Sequence, residues 1–457
     1  MRRLHPISLT ILVAFLLCCA WLPAIAGVTD TAKQFVGEMA KSDFNSAVKH
    51  FDSTMAGVMS PQALQTAWQT ISSQNGGFKQ QGGTKTEQVG GYDVVFVRCE
   101  FANGALDAQI AFNQSGQISG LYFVASQDAS DYQQPGSTPA ASAATTEKAP
   151  SGLREQDVKV GNSDWPLPGT LTFPEGDGPF PSLVLVHGSG PNDRDETLFG
   201  NKPFRDLAYG LAKRGVAVLR YDKRTMVYKV KMAGLKDVTP KEEATDDALA
   251  AAALLRKTAG IDPKRVFVLG HSLGGTLLPR IGKSDPNLAG LIVLAGAVRP
   301  LEDIIVEQAR YMASLDGKVT EAEKEQIEKV SRQAAQVKSL TESSDAVPGA
   351  PAKYWLDLRG YNPPQVAAEL KQPILVLQGE RDYQVTMDDF RLWKQALGSK
   401  PNVTLKSYPK LNHLFVEGQG KSKPDEYRKA GHVAGVVIDD IASWIQQQTS
   451  DGVRTGN

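Results

Sequence analysis

The sequence predicts an α/β protein in which a small α+β domain precedes a doubly wound, mostly parallel sheet. From residue 153 onward, short apolar runs alternate with long stretches of helical spacing. The runs lie at 183–186, 216–219, 266–269, 291–294 and 374–377. Strands that are apolar on both faces are typical of a parallel sheet covered by helices on each side. Two alternating segments before them, 158–160 and 167–173, are expected to form outer antiparallel strands.

The composition is that of a folded protein with no electrostatic preference for nucleic acid. The chain has 457 residues, 41% hydrophobic and 22% charged, with 50 basic and 50 acidic residues. This apolar content excludes disorder for most of the chain, and the net charge of zero gives no basis for nucleic-acid or polybasic membrane binding. Three cysteines, with no pair at metal-ligand spacing, predict neither a disulfide scaffold nor a metal site. We expect no cofactor.

Residues 1–26 have the pattern of a cleaved bacterial secretory signal. Two arginines precede an apolar stretch at 7–22, and Ala24-Ile25-Ala26 places small residues where signal peptidase reads the chain. A membrane anchor is the alternative, but the apolar stretch is short and ends at Pro23. We therefore expect an exported protein, periplasmic or secreted, with no stable membrane span after the signal is removed.

Residues 27–125 are predicted to form the small α+β domain. Helical spacing recurs around 32–39 and 47–51, and Ser60-Pro61 is typical of the start of a third helix. Three strand-like runs follow at 92–101, 106–112 and 118–124. Cys99, the cysteine that remains after the leader is removed, lies in the first of these runs and is expected to be a buried structural thiol. No catalytic arrangement is recognisable in this domain.

A segment at 126–152 is expected to be a flexible linker before the larger domain at 153–449. Between 126 and 150 it contains no Leu, Ile, Val, Phe, Met or Trp and is rich in Ala, Ser, Thr and Pro. Such a composition buries too little apolar area to fold.

A Gly-x-Ser-x-Gly pentapeptide, Gly270–Gly274, lies between a buried strand run and the start of a helix. This is the arrangement of a nucleophile elbow, a sharp turn that exposes a serine hydroxyl above the carboxyl end of the sheet. Ser272 is therefore the candidate nucleophile. An ordinary glycine-rich turn is the alternative, and the strand-turn-helix context argues against it.

Ser272 needs a general base, and histidine is scarce enough to assign one by elimination. The larger domain has His187, His271, His413 and His432. In the chain order Ser, acid, His, the base lies on the loop after the last strand. His413 follows the strand predicted at 403–408 and is the candidate base.

The acid is expected after the preceding strand, 374–377. Asp382 lies just beyond the carboxyl end of that strand and is the preferred candidate, with Glu380 as the alternative. Its role would be to hold the tautomer of the histidine and to stabilise the imidazolium. Asp388 and Asp389 fit the start of the following helix better.

The segment 187–191, His-Gly-Ser-Gly-Pro, directly follows the first buried run. In this topology the loop at that point supplies one backbone N–H of an oxyanion hole, and the residue after the nucleophile supplies the other. The predicted donors are the N–H groups of Ser189 and Leu273. A role of the Ser189 hydroxyl as a second nucleophile is a lesser alternative, because no base is placed for it.

On these residues, the segment 153–449 resembles the α/β-hydrolase superfamily, close to its dienelactone hydrolase and serine aminopeptidase-like branch. The stretch 180–196 is similar to the oxyanion loop of exported bacterial acyl esterases with a leading cystatin-like, or nuclear-transport-factor-like, domain. Residues 220–224, Arg-Tyr-Asp-Lys-Arg, also match that group, although an ion-paired loop is favoured there over a catalytic role. The resemblance implies a Ser272–Asp382–His413 triad that hydrolyses carboxylic esters through an acyl-enzyme.

An insertion at 299–364 separates the fourth buried strand from the strand before the acid. Helical spacing at 304–315 and a capping box at Thr320–Glu323 predict two helices. We expect the insertion to form a helical cap over the active site, with an apolar acyl or leaving-group pocket. A peripheral pair of helices is the alternative.

Together these features predict an exported carboxylesterase that acts on small-molecule acyl esters. An aminopeptidase or prolyl-type peptidase on the same scaffold is the alternative. A binding module with an idle catalytic set is a third hypothesis, against which the complete triad argues. The sequence predicts no nucleic-acid partner, metal or cofactor, and it does not indicate an oligomeric state.

Overall fold

In the computed structural model the described residues form two compact units, divided between residues 145 and 146. The structure describes residues 22–448 apart from 90–91, 114, 127–148, 229–230, 233–234, 236 and 342–349. Most of the predicted leader and of the predicted linker lies outside the described residues. Within the described ranges, no helix is long and apolar enough to cross a membrane.

The first unit packs short and long helices against an antiparallel sheet of four strands. The helices are α1 (Leu22–Ala40), α2 (Phe44–Ala47), α3 (Ser53–Val58) and α4 (Pro61–Gln74), with a 3-10 turn at Val48–His50. The strands β1 (Phe78–Val89), β2 (Tyr92–Phe101), β3 (Gly104–Phe112) and β4 (Ile118–Ala125) pair in chain order. Ser60 caps α4 as predicted, since its hydroxyl accepts a hydrogen bond from the Ala63 N–H at 3.2 Å.

This unit differs from the sequence prediction at three points, one of which is α3, a helix that the sequence did not predict. The helix expected around 47–51 is only a short turn, because Phe51 already pairs with Ile118 of the sheet. The sequence predicts three strands, and β1 adds a fourth. Its sequence, FKQQGGTKTEQV, has no apolar run, and it lies at an edge of the sheet, where most of its described side chains are at least partly exposed.

Helix α1 contributes one face to the core of the first unit. Its residues Val28, Ala32, Phe35 and Met39 are buried and recur at helical spacing. Cys99 lies in the same core, and burial raises the pKa of its thiol to about 12. The thiol is therefore part of the packing of this unit.

The second unit is built on a mostly parallel sheet of eight strands. The strands are β5 (Arg154–Val160), β6 (Leu167–Phe173), β7 (Phe180–Val186), β8 (Ala217–Tyr221), β9 (Ile261–His271), β10 (Gly290–Leu294), β11 (Ile374–Gly379) and β12 (Val403–Tyr408). Their spatial order is β12-β11-β10-β9-β7-β8-β6-β5, with β5–β6 and β6–β8 antiparallel and the other pairs parallel. The predicted α/β-hydrolase sheet with outer antiparallel strands is confirmed.

Helices cover both faces of this sheet. They are α5 (Pro203–Ala212), α6 (Arg224–Val227), α7 (Asp246–Leu255), α8 (Leu273–Ser284), α9 (Leu301–Ala313), α10 (Glu321–Ser339), α11 (Ala352–Arg359), α12 (Pro363–Glu369), α13 (Met387–Leu397) and α14 (Gly435–Gln447), with shorter turns at Lys241–Thr245 and Pro424–Arg428. In β7, Leu183 and Leu185 share a core with α5 and α14, whereas Val184 and Val186 share one with α7 and α8. The alternation explains why the strand is apolar throughout.

The predicted insertion contains α9, α10 and α11. Thr320 and Glu323 form the expected capping box, with the Thr320 hydroxyl accepting from the Glu323 N–H and the Glu323 carboxylate accepting from the Thr320 N–H. Val337 of α10 packs with Trp355 of α11 in a small core of its own. The insertion is therefore a folded helical layer.

Candidate active site

Ser272 lies at a sharp turn between β9 and α8. Its φ of 53° is in the left-handed region, which is costly for a residue with a side chain. Close packing makes the turn possible: a Cβ on Gly270 would lie 2.2 Å from the Gly274 oxygen, and one on Gly274 would lie 2.3 Å from the Val186 oxygen. The Ser272 N–H donates to the Leu294 oxygen at 2.9 Å. The pentapeptide thus forms the elbow that the sequence predicts.

His413 and Asp382 meet at the carboxyl ends of two adjacent strands. His413 follows β12 and Asp382 follows β11, and the parallel register of these strands places Gly379 opposite Tyr408. His413 Nδ1 lies 2.6 Å from Asp382 Oδ2, and the two side chains are 6% and 0% exposed. The imidazole is therefore held by a buried carboxylate.

Further donors fix the orientation of the Asp382 carboxylate. Its Oδ1 accepts from the N–H groups of Gln384, at 2.8 Å, and Val385, at 3.0 Å. Its Oδ2 also accepts from Gln378 Nε2 at 3.2 Å. These bonds leave Oδ2 directed at the imidazole, so the histidine in turn has one preferred orientation.

The other acidic residues of this region have different partners. Glu380, the alternative acid, is exposed, and its carboxylate accepts from the Ser407 hydroxyl at 2.8 Å. Asp389 is fully buried, accepts from the N–H groups of Val298 and Arg299 at 2.9 and 3.0 Å, and pairs with the Arg299 guanidinium at 2.7 Å. Asp389 lies in the first turn of α13, as expected, and it also holds the beginning of the insertion through Val298 and Arg299.

His271 connects Ser272 to the histidine loop. His271 Nε2 lies 3.0 Å from the His413 carbonyl oxygen, and the centroids of the two imidazole rings are 4.7 Å apart. Within the described part of the chain, no hydrogen bond joins the Ser272 hydroxyl to His413. In unliganded hydrolases this bond is often long and shortens in the substrate complex. The contact between His271 and His413 places the loop of the Ser272 hydroxyl next to the loop of the His413 imidazole.

The loop after β7 packs against the elbow. A Cβ on Gly188 would lie 3.1 Å from the Ser272 Cβ. Among the described residues, the N–H groups of Ser189 and Leu273 donate to no protein atom. Two unpaired N–H groups beside a nucleophile are what an oxyanion hole requires. The geometry is consistent with both predicted donors.

A buried pair of Glu196 and His271 lies behind the nucleophile, and sequence reasoning missed it. Glu196 Oε2 lies 2.8 Å from His271 Nδ1, and Oε1 accepts from the Gly188 N–H at 2.7 Å. Burial alone would lower the pKa of His271, but the charge and hydrogen bond of Glu196, together with the His413 carbonyl and the charge of Asp382, raise it on balance. At Glu196, burial raises the pKa, whereas the charge and hydrogen bond of His271 lower it. On balance the pKa of Glu196 is lowered. No sequence spacing signals this pair.

The insertion contacts the loop that carries Asp382. Tyr311 of α9 stacks on Tyr383, with ring centroids 4.9 Å apart and an interplanar angle of 1°. Gln308 of α9 donates from Nε2 to the Gln384 oxygen at 3.0 Å. This position, next to the predicted acid, favours a cap over a peripheral pair of helices. Within the described ranges, no group of His, Cys, Asp or Glu side chains has the arrangement of a metal site.

The matching family model gives the class of this protein. Residues 201–447, more than half of the chain, match the model described as serine aminopeptidase, S33. Residues 32–121 match a model described as a protein of unknown function, DUF3887. The chain belongs to the serine aminopeptidase S33 family of α/β-hydrolases.

A curated relative narrows this class. The chain is 37% identical over 413 residues to the esterase EstD of Thermotoga maritima, covering 90% of this chain and 93% of that protein. The protein is an enzyme, a hydrolase of the carboxylesterase type. It is also 29% identical over 187 residues to a monoacylglycerol lipase of Mycolicibacterium smegmatis, covering 39% of this chain and 61% of that protein. A solved esterase of Pyrococcus furiosus matches with a TM-score of 0.42 at 17% identity, covering 65% of this chain and 91% of that one.

Proposed function

We propose that the protein hydrolyses carboxylic esters of small molecules through an acyl-enzyme formed on Ser272. The observation that carries this proposal is the buried hydrogen bond between His413 and Asp382, beside the elbow that holds Ser272. A serine hydroxyl is a poor nucleophile until a positioned base takes its proton. An imidazole oriented by a carboxylate is such a base. The esterase from Thermotoga maritima supports an ester as the substrate class.

In the acylation step, Ser272 Oγ attacks the acyl carbonyl carbon while His413 Nε2 takes the hydroxyl proton. Asp382 holds the Nδ1–H and stabilises the imidazolium that forms. The negative oxygen of the tetrahedral intermediate accepts from the N–H groups of Ser189 and Leu273. When the intermediate collapses, the bond to the alcohol oxygen breaks and His413 returns the proton to that oxygen.

Deacylation uses the same groups with water as the nucleophile. His413 takes a proton from the water as its oxygen attacks the acyl-enzyme, and the same backbone donors stabilise the second tetrahedral intermediate. Collapse of this intermediate releases the carboxylic acid, and His413 returns the proton to Ser272 Oγ. No metal or cofactor takes part in this scheme.

A fluorophosphonate probe tests the nucleophile directly. We expect the probe to label the folded protein and short p-nitrophenyl esters to be turned over. The variant Ser272→Ala should lose both, whereas Ser284→Ala, an exposed serine at the end of the same helix, should keep both. Labelling that persists in Ser272→Ala would contradict the proposal.

A substrate panel separates the esterase from the alternative peptidase. The panel contains esters of increasing acyl length, thioesters, lactones and aminoacyl amides, each measured with wild type and Ser272→Ala. We expect the esters to give the highest kcat/KM. Amides cleaved much faster than matched esters would instead identify a peptidase on the same scaffold.

We also propose that the protein is exported and processed after Ala26. The leader pattern at 1–26 supports this proposal. Expression of the full chain in a bacterial host, followed by mass spectrometry of the periplasmic and secreted fractions, should give a product that begins at Gly27. A cytoplasmic product that retains residue 1 would contradict this proposal.

A further inference from the structure

Lys223 is a buried lysine whose ammonium group reaches the predicted oxyanion loop. Its side chain is 2% exposed; Nζ pairs with Glu243 Oε1 at 2.5 Å and donates to the Gly188 carbonyl oxygen at 2.7 Å. Burying an ammonium group is costly unless its charge and its N–H groups find partners. Glu243 already neutralises the charge of Lys223. The hydrogen bond from Lys223 to the Gly188 carbonyl oxygen is therefore not needed for charge compensation and calls for its own explanation.

The carbonyl that Lys223 binds belongs to the same peptide unit as the Ser189 N–H. Among the described residues the cis peptide bond is Gly178–Pro179, so the Gly188–Ser189 bond is trans. In a planar trans peptide the C=O and the N–H point in opposite directions. A partner that fixes the carbonyl oxygen therefore fixes the direction of the N–H on the other side.

The preceding peptide of this loop is held as well. The Gly188 N–H donates to Glu196 Oε1 at 2.7 Å, and the Gly188 C=O accepts from Lys223 Nζ. Both polar groups of Gly188 are therefore hydrogen-bonded to charged side chains. Gly188 also packs against Ser272, where an added Cβ would lie 3.1 Å from the Ser272 Cβ. Both peptide planes next to the nucleophile are therefore held by buried charged side chains.

We propose that Lys223 is a positioning residue that directs the Ser189 N–H at the oxyanion and strengthens it as a donor. A positively charged donor at the carbonyl oxygen polarises the peptide group and makes its N–H a better donor, as in any chain of hydrogen bonds. This inference rests on the proposed function, because it assigns a role at the predicted oxyanion hole. Lys223 itself touches neither the substrate nor the reacting atoms in this scheme.

The same network extends into the insertion. The Tyr354 hydroxyl of α11 donates to Glu243 Oε2 at 2.6 Å. Burial, together with the charge of Glu243, raises the pKa of Tyr354 well above its usual value, so the hydroxyl keeps the proton that it donates. Tyr354, Glu243 and Lys223 thus form a continuous hydrogen-bonded path from the insertion to Gly188.

The test compares the double variant Lys223→Met/Glu243→Gln with wild type and with Lys283→Met. The double variant removes both charges, so no uncompensated buried charge remains. Lys283 is the matched control, since it forms an exposed pair with Glu369 at 3.0 Å. We expect kcat for a short p-nitrophenyl ester to fall about 10- to 100-fold in the double variant, with KM changed less than about 3-fold. Lys283→Met should behave as wild type.

A trifluoromethyl ketone inhibitor gives a readout that a merely structural role would not change. It forms an anionic tetrahedral adduct on an active serine, so its Ki should rise by about the factor by which kcat/KM falls. A double variant that unfolds at the wild-type temperature but retains wild-type kcat and Ki overturns the role of Lys223 and leaves the proposed function standing.

If the double variant does not fold, Lys223→Gln/Glu243→Gln takes its place. The amide at 223 is shorter than the lysine side chain and uncharged, and it can bond to the isosteric amide at 243, so the same kinetic outcomes decide. Ester turnover that survives Ser272→Ala would overturn the proposed function itself, and the role of Lys223 with it.

Discussion

His413 Nδ1 lies 2.6 Å from Asp382 Oδ2, and the carboxylate that holds it is fully buried. An amide at this position would favour the wrong imidazole tautomer while keeping the shape of the site. We therefore predict that Asp382→Asn lowers kcat by about 10³- to 10⁴-fold with little change in KM. Steady-state kinetics with a p-nitrophenyl ester measures this, and Glu380→Gln is the control. A large loss in the control instead would identify Glu380 as the acid.

The ion pair of Glu196 and His271 predicts a pH-dependent contribution to stability. Because the folded-state pKa of His271 lies above its ordinary 6.5, the stabilisation is fully present below about pH 6.5 and declines as the pH rises through the raised value. In Glu196→Gln, burial is opposed by only the smaller contributions of the His413 carbonyl and Asp382, so the pKa of His271 falls and the variant is penalised most at low pH.

Urea unfolding of wild type and Glu196→Gln measures this contribution. We expect the variant to lose about 1–3 kcal/mol near pH 5.5 and less near pH 8.5. The carboxylate of Glu196 is ionised across this range, because its pKa is lowered from 4.5. Glu369→Gln, at the exposed pair with Lys283, should show no such trend. A penalty that grows with pH would refute the assignment of an ion pair.

The thiol of Cys99 is predicted to be inert in the folded chain. Burial raises its pKa to about 12, so almost no thiolate exists at neutral pH, and the side chain has no exposed surface. In protein that lacks residues 1–26, Ellman's reagent should find no reactive thiol before denaturation and one per chain afterwards. Ser284→Cys, at an exposed position, should react in the native state. Rapid labelling of native Cys99 would show that the first unit opens readily.

The elbow should not tolerate a side chain at Gly274. A Cβ there would lie 2.3 Å from the Val186 oxygen, a backbone atom that cannot move without displacing β7. We predict that Gly274→Ala lowers the unfolding free energy by at least about 3 kcal/mol or prevents folding. Gly435→Ala, where an added Cβ has no neighbour within 4 Å, should be neutral or slightly stabilising. Thermal unfolding compares the two, and equal melting temperatures would contradict the packing argument.

The parts of the site that the sequence predicted are those encoded locally or by scarcity. The elbow lies within one strand-turn-helix segment, so Ser272 is recognisable from neighbouring residues. His413 stands out because the larger domain has few histidines. Asp382 and Glu380 are two residues apart on one loop, and only the fold distinguishes the buried carboxylate from the exposed one.

The parts that the sequence did not predict depend on long-range contacts. Glu196 is 75 residues from His271, and no periodicity links the two. The sequence favours an ion-paired loop at 220–224, but it does not show that Glu243, in the turn Lys241–Thr245, is the partner of Lys223, because their meeting depends on how the strands are ordered. Strand β1 was not predicted for a different reason: its polar sequence lacks the apolar run by which buried strands are recognised.

The insertion leaves the sheet after β10 and returns at β11, and these neighbouring strands pair with Leu291 opposite Ile374. A segment bounded in this way can be exchanged during evolution without altering the register of the sheet. Tyr354 limits that freedom, since a replacement without a hydroxyl at this place would remove the donor to Glu243 Oε2 and leave that carboxylate paired with Lys223 through Oε1. If Lys223 positions the Ser189 N–H, variation at Tyr354 would alter turnover, and a chimera made by grafting the insertion would need to retain this contact beside those of Tyr311 and Gln308.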